Sequence, residues 1–297
     1  MGVVSREPVV AVCTNRAPDA VAEALAALSA QVPGERIVVV TSGLEADLVA
    51  AHRAVAPGPV EAEERAGLSL ARNRALDWAA GTGARAVAYV DDDAVVDRNW
   101  WDNLVQRWAA ADDRLAVIGG PIRPRWSITP PAWMSRAILP ALTLLDLGDE
   151  ERELDPAETT VFGANISFAV EPLREIGGFD PAYGHSGKRI FFSEEDQAQR
   201  ALAARGYRVL YAPELGVRHV IPADRLTRRS FIRRRFAYGR ALAARGGRTK
   251  GMALRQLSTS GPGALVALAR RKPKLFMERT VRGAENLGVL VGRARRG

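Results

Sequence analysis

Three consecutive carboxylates, Asp91-Asp92-Asp93, follow directly on a short apolar run, Ala86 to Val90. The run reads as a buried strand, so the acids stand at its C-terminal end, where open α/β sheets bind their ligands. Adjacent carboxylates repel, and crowding them costs free energy unless a cation or hydrogen-bond donors offset it. Oxygens from Asp91 and Asp93 can face one hard divalent ion, with its other positions left to water and a bound phosphate. The competing reading of the same triplet is a solvated turn that caps the next helix.

The elements that must position this triplet are legible upstream. Val9 to Val12 is a short β-type run that ends in Thr14-Asn15-Arg16-Ala17-Pro18-Asp19. Asp19 is expected to cap an Ala-rich helix over Ala20 to Ala30, stopped by Pro33-Gly34. Ile37 to Val40 reads as the next strand, followed by Thr41-Ser42-Gly43 and a helix from Leu44 to Arg53. A strand near Val60, a helix from Leu68 to Ala79 and the aspartate strand complete a β-α-β-α-β-α-β alternation. That alternation predicts a doubly wound, mainly parallel sheet. No G-x-G-x-x-G and no P-loop stands in it.

Downstream, a Trp-rich helix is expected to Ala111, and a strand from Leu115 to Ile118. Ile122 to Pro156 reads as an irregular insertion over the site, with one helix from Ser135 to Leu145. Its Trp126 and Trp133 suit either a sugar-stacking platform or a packed lid. Strands are expected at Thr159 to Phe162, Ile166 to Val170, Tyr207 to Tyr211 and Gly216 to Val220. A short helix is read from Pro172 to Ile176, and Ser193 is expected to cap another from Glu194 to Arg205. The tail beyond Arg225 reads as helical, with breaks at Gly246-Gly247, Gly261-Pro262-Gly263 and Pro273.

Composition bounds the answer. Of 297 residues, 47% are apolar and 26% charged, ordinary values for a chain with a real core. The one cysteine, Cys13, leaves no disulfide or zinc framework within the chain and reads as a small buried hydrophobe. No uncharged run reaches the roughly 18 residues of a membrane span, and Met1 to Pro8 holds no apolar leader core. The expectation is a cytoplasmic protein, peripheral at the inner face of a membrane if its tail binds lipid. The net charge of +8 is unevenly spread. Between Arg225 and Gly297 stand 20 Lys or Arg and two acids, Glu278 and Glu285, so this stretch carries +18 and the remainder −10. Such a tail suits an anionic partner: a membrane surface, a lipid phosphate or nucleic acid.

The order of motifs carries a resemblance. Cys13-Thr14-Asn15-Arg16 follows the first strand, and Leu70-Ala71-Arg72-Asn73-Arg74-Ala75 opens a helix. Asp91-Asp92-Asp93, Gly163-Ala164-Asn165-Ile166-Ser167-Phe168, Gly177-Gly178-Phe179-Asp180, Ser193-Glu194-Glu195-Asp196 and His219 follow in turn. From Pro8 to Gly239 the chain resembles a family 2 glycosyltransferase with the GT-A fold. The resemblance implies a domain over residues 1–224, its nucleotide-binding half about 8–120 and its acceptor half about 121–224. Residues 225–297 then form a basic helical extension.

The resemblance also implies an inverting transferase that uses a nucleotide-diphosphate sugar and Mn²⁺ or Mg²⁺. By it, Thr14, Asn15, Arg16, Ser42, Arg72, Asn73, Asp91, Asp92 and Gly163 contact the nucleotide sugar. Asp93, Asp91 and His219 hold the metal. Asp196, paired with Glu195, is the general base that takes the acceptor's hydroxyl proton. Arg72 suits a developing diphosphate charge, because a guanidinium matches phosphate geometry. Each role has a plainer rival. Arg72 and Asn73 can simply start a helix, and first-turn acids such as Glu194, Glu195 and Asp196 suit the helix dipole. Asp196 and Arg200 can form a surface ion pair. His219 can be a satisfied core residue, and His185 suits a loop or an acceptor contact. The chain departs from the family after the second strand, where Thr41-Ser42-Gly43 replaces an acid that reads the base; Glu45 or Asp47 are the candidate substitutes.

The expected acceptor is a polysaccharide, a lipid-linked saccharide or a secondary metabolite. Rival functions are a sugar-nucleotide nucleotidyltransferase, a nucleic-acid-binding protein and an inactive transferase-like scaffold. The missing phosphate loop argues against the first. A basic tail without interleaved aromatics on a sheet argues against the second, so no nucleic acid is expected.

Overall fold

The computed structural model describes residues 7–182, 194–244 and 248–292. In chain order, β1 (Val9–Thr14) leads through α1 (Ala22–Ser29) to β2 (Ile37–Ser42), α2 (Ala46–Val55), β3 (Val60–Glu63), α3 (Leu68–Gly81) and β4 (Ala86–Val90). Then come β5 (Ala94–Val96), α4 (Trp100–Ala110), β6 (Leu115–Gly119) and β7 (Ile122–Trp126). β8 (Arg152–Leu154), β9 (Asn165–Ala169), α5 (Val170–Glu175), α6 (Glu194–Ala203), β10 (Arg208–Tyr211) and β11 (Val217–Ile221) follow. The chain continues in α7 (Arg228–Ala244), α8 (Lys250–Ala269) and α9 (Pro273–Val291).

Eight strands form one sheet in the order β3-β2-β1-β4-β9-β6-β10-β8. β1 pairs in parallel with β2 and β4, β2 with β3, and β10 with β6. β9 runs antiparallel between β4 and β6, and β8 is an antiparallel edge. The expected mixed, mainly parallel sheet is therefore present. Its inner strands are uninterrupted apolar runs because the sheet is covered on both faces. Val9 to Val12, Ile37 to Val40 and Ala86 to Val90 are all at most 2% exposed. Each larger side chain among them contributes about 1.5–3 kcal/mol by burial. The parallel register sets Thr14 opposite Thr41, so the loops after β1 and β2 leave the sheet at one edge. A second sheet, in the order β5-β11-β7, is short.

Four expectations are corrected. Asp19 is not a helix cap: Pro18–Ala20 is a single 3-10 turn, and α1 begins behind Val21. Thr159 to Phe162 forms no strand. The Gln199 side chain takes both backbone groups of Val161, accepting from its N–H at 3.0 Å and donating to its carbonyl at 2.9 Å. Those are the groups a neighbouring strand would need. The stretch from Ile122 to Pro156 holds two strands, β7 and β8, and its expected helix contracts to a 3-10 stretch, Arg136–Leu142, containing Pro140. Gly261-Pro262-Gly263 does not break the tail but lies inside α8. A Cβ at Gly263 would meet the Arg279 guanidinium from α9, which would have to shift to make room.

The chain forms two compact units. One comprises residues 7–124, 145–182 and 194–220, and it holds the eight-stranded sheet. The other comprises residues 125–144, 221–244 and 248–292, so it combines the basic tail with part of the expected insertion. In it Leu242, Ala243, Ala253 and Val289 form a small core between α7, α8 and α9. Trp133 is packed there, edge-on to Phe231 at 5.4 Å with the Arg228 guanidinium 6.0 Å from its ring.

Candidate active site

The acidic triplet forms the turn between β4 and β5, closed by a hydrogen bond from Ala94 N to the Asp91 carbonyl at 3.0 Å. Each acid then meets a different neighbour. Asp92 accepts from the Thr14 hydroxyl at 2.5 Å and from Arg16 Nη1 at 3.3 Å. Asp93 Oδ1 lies 3.0 Å from His219 Nε2, and Arg16 approaches its other oxygen at 3.8 Å. The sheet enforces the Asp93–His219 meeting. β11 pairs antiparallel with β5, setting His219 opposite Ala94, and Val220 N donates to the Asp93 carbonyl at 2.9 Å. Asp91 turns the other way, to Arg72 at 3.7 Å.

Arg72 is the centre of a second group. It rises from the first turns of α3 and is only 3% exposed. Its Nη1 donates to Glu194 Oε1 at 2.9 Å and lies 3.8 Å from Glu195 Oε2. Its Nη2 donates to the Gly163 carbonyl at 3.1 Å. The rings of Tyr89 and Phe179 lie 5.6 and 5.7 Å from the guanidinium. Gly163 has to be glycine, since a Cβ would overlap that guanidinium. Burial alone would lower the Arg72 pKa, but Glu194, Glu195 and Asp91 outweigh it and raise the pKa. The side chain is thus a buried organiser of three carboxylates.

The acids of α6 divide the work. Glu194 is buried against Arg72. Asp196 is 7% exposed and accepts the Thr160 hydroxyl. Glu195 is 16% exposed, and the Gly163 N–H points to its Oε1 at 3.4 Å. Burial, reinforced by Glu194 and Asp196 and opposed by Arg72, pushes the Glu195 carboxyl up to about 8. Burial likewise pushes Asp91 up to about 6, against the pull of Arg72 and with the push of Asp93. Loss of hydration also drives the Cys13 thiol to about 12, so it is no nucleophile near neutral pH.

Several expected contact residues also make hydrogen bonds that hold the fold. The Ser42 hydroxyl accepts from Gly67 N at 2.9 Å and faces the Arg65 carbonyl at 3.2 Å, tying down the loop before α3. Asn73 clamps the turn that contains Gly177 and Gly178. It donates to the Phe179 carbonyl at 2.7 Å and accepts from Phe179 N at 2.8 Å. Thr14 and Arg16 do reach the acidic turn, and Asn15 is exposed between them. Glu45 and Asp47 are exposed at the start of α2. His185 and Ser193 lie outside the described residues.

Three contributors escape the sequence reading. Glu194 reads there only as one of three first-turn acids, yet it is the closest partner of Arg72. Gln199 is fully buried and shapes the segment that ends in Gly163. His52, fully buried in α2, donates from Nε2 to the Arg16 carbonyl at 2.8 Å and so sets the loop that carries Arg16. The signal for His52 is its place three residues after Val49 on the buried side of α2.

The donor set has a defined metal chemistry. Among the described residues no group of three or more His, Cys, Asp or Glu side chains is arranged to hold a metal ion. The expected trio of Asp91, Asp93 and His219 is therefore not assembled; Asp93 and His219 come together and Asp91 does not join them. Their 3.0 Å separation matches adjacent donors on an octahedral ion with bonds of about 2.1 Å. The pair fits a divalent cation that takes its remaining ligands from water and a phosphorylated ligand.

Comparison with known proteins bears on the family and the fold. The glycosyl transferase family 2 model matches residues 9–177, more than half of the chain. A curated relative, the glucosyl-dolichyl phosphate glucuronosyltransferase of Haloferax volcanii, is 30% identical over 158 residues. The match covers 53% of this chain and 49% of the relative, so the chain spans about half the length of that protein. The mannosyltransferase PcManGT from Pyrobaculum calidifontis, solved with GDP-Man and Mn²⁺, superposes with a TM-score of 0.61 at 17% identity, over 96% of this chain and 87% of that one. GalNAc-T7, solved with UDP, GalNAc and Mn²⁺, gives 0.53 at 16% identity, over 80% of this chain and 48% of that one. By its matched sequence and by a sheet like those of GT-A enzymes, the chain belongs to glycosyl transferase family 2.

Proposed function

We propose that the chain transfers a sugar from a nucleoside-diphosphate donor to an acceptor hydroxyl with inversion at the anomeric carbon. One observation carries this reading. The turn after β4 carries both Asp93, paired with His219, and Asp91, which reaches Arg72 and through it Glu194 and Glu195. The first group suits a cation and a diphosphate, the second a proton acceptor. When bound, the cation neutralises charge on the departing diphosphate. Asp93 and His219 would hold it. The imidazole nitrogen favours Mn²⁺ over Mg²⁺, which takes almost only oxygen. Arg16, exposed at the turn, is the side chain best placed for a phosphate oxygen.

Glu195 rather than Asp196 is the base in this reading. Asp196 is buried and occupied by the Thr160 hydroxyl. Glu195 is partly open, and its raised proton affinity suits a base working near neutral pH. The acceptor oxygen attacks the anomeric carbon, the bond to the diphosphate breaks, and the hydroxyl proton passes to a Glu195 oxygen. The name of the Haloferax relative supports a lipid-linked saccharide as the acceptor class.

Thermal unfolding with UDP, GDP, dTDP, CDP and ADP, each with and without Mn²⁺, tests the proposal. A metal-dependent stabilisation by one nucleotide, lost in Asp93→Ala, supports it and identifies the donor base. A folded protein that no nucleotide stabilises would overturn it.

A further inference from the structure

Helix α8 presents a surface that the transfer chemistry does not use. On one side Ala253, Ser260 and Ala267, seven residues apart, are at most 3% exposed. Away from that side Met252, Leu254, Leu265, Val266 and Leu268 are exposed by 54, 59, 69, 50 and 58%. At about 3.6 residues per turn, Leu254, Leu265 and Leu268 fall within about 60° of one another and form one stripe, while Met252 and Val266 lie more than about 90° round the helix from it. Scattered apolar side chains on a surface need no explanation, but a row of this size on one helix marks an interaction site.

Charge identifies the occupant. α8 contains no acid, and the first acid after it is Glu278. Lys250 and Arg255 flank the stripe at one end, and Arg270, Arg271, Lys272 and Lys274, all exposed, follow it at the other. A second copy of this surface would bring only cations against cations, which is unfavourable in either orientation. Nucleic acid would satisfy the charges and leave the leucines in water. An anionic bilayer satisfies both, because its phosphates lie just above its acyl chains. No helix of the described residues is long and apolar enough to cross a membrane, so α8 would lie along the surface.

We propose that α8 is a membrane-surface anchor. Leu254, Leu265 and Leu268 enter the acyl boundary of an anionic bilayer, while Arg270, Arg271, Lys272 and Lys274 pair with lipid phosphates. This goes beyond the transferase reading and does not depend on it.

The test is flotation of the full chain with vesicles of phosphatidylcholine alone and of phosphatidylcholine mixed with phosphatidylglycerol. Binding is expected only to the anionic vesicles. Leu265→Glu with Leu268→Glu should weaken it at least about tenfold. Arg270→Gln, Arg271→Gln and Lys272→Gln together should weaken it and flatten its salt dependence. Far-ultraviolet circular dichroism checks folding, and Leu254→Gln gives a milder variant with the same expected direction. Leu265→Trp should show a blue shift in fluorescence, beyond any in the parent, when anionic vesicles are added. Undiminished binding by the leucine variants, equal binding to neutral vesicles, or no added blue shift from the introduced indole would overturn the anchor. So would a parent dimer that the leucine substitutions dissolve, since a second copy would then cover the stripe. Nucleotide-dependent stabilisation, measured in the same variants, should be unchanged, which separates this test from that of the transferase reading.

Discussion

Arg72 Nη1 donates to Glu194 Oε1 at 2.9 Å across 122 residues of sequence, and both side chains are 3% exposed. This bond ties the start of α3 to the start of α6 and gathers Asp91 and Glu195 around one guanidinium. A buried pair of this kind need not be strongly stabilising in itself, but removing one partner leaves an uncompensated charge.

Arg72→Leu should therefore cost about 3–5 kcal/mol of unfolding free energy, because it strands Glu194 beside Glu195. Arg72→Lys should recover only part, since one ammonium cannot serve both Glu194 and the Gly163 carbonyl in the fork geometry. Urea unfolding at pH 7 measures both. A loss below about 1 kcal/mol in Arg72→Leu would mean that the carboxylates find other partners.

Glu195→Gln should lower the transfer rate by about 10²–10⁴ while leaving metal-dependent nucleotide binding intact. Asp196→Asn should act more weakly, and mainly on stability, through the loss of a charged partner for Thr160. The rate profile of the parent, read as kcat/KM, should rise with pH through a limb near the raised Glu195 value of about 8. A reversed order of the two variants would return the base to Asp196.

The same group gives a pH dependence of stability. Its folded value is raised from 4.5 to about 8, so between these the folded state holds a proton that the unfolded state releases. The Glu195 contribution to stability therefore falls as pH rises through that window. Glu195→Gln should remove this slope, so its advantage over the parent should grow from pH 5 to pH 8. Chemical denaturation at a series of pH values checks it, and a parallel pair of curves would contradict the raised value.

Asn73→Ala should cost about 1–3 kcal/mol by leaving the Phe179 backbone groups without their partner, with little change in nucleotide affinity. Asp93→Asn and His219→Ala should do the opposite. Each should weaken Mn²⁺-dependent nucleotide binding about tenfold or more, with a smaller effect on stability. Isothermal titration alongside thermal unfolding separates the two patterns. A large affinity loss in Asn73→Ala would show that this side chain meets the nucleotide after all.

Much of the frame is readable from the chain. The strands at Val9, Ile37 and Ala86 are continuous apolar runs, and such runs are strands when a sheet is buried on both faces. The acids after Val90 stand where the strand ends because a carboxylate cannot enter that core. The reading fails where a distant side chain takes over a local preference. Val161 looks like a strand residue, but Gln199 claims its backbone. Gly261-Pro262-Gly263 looks like a break, but packing against α9 carries the helix through it.

The site divides in the same way. The sequence by itself determined which chemistries were present: an acidic turn after β4, acids opening α6, a guanidinium in α3 and a late histidine. Those follow from residue type and from periodicities that act within a few residues. Only the tertiary structure decided which acid faces which cation. It pairs His219 with Asp93 through the β5–β11 register, turns Asp91 toward Arg72, gives Asn73 to the Phe179 turn and leaves Glu195 more open than Asp196. The reason is physical. Partners chosen by packing lie tens to more than a hundred residues apart, and the burial that raises the Glu195 proton affinity exists only once the sheet and α6 have closed around it.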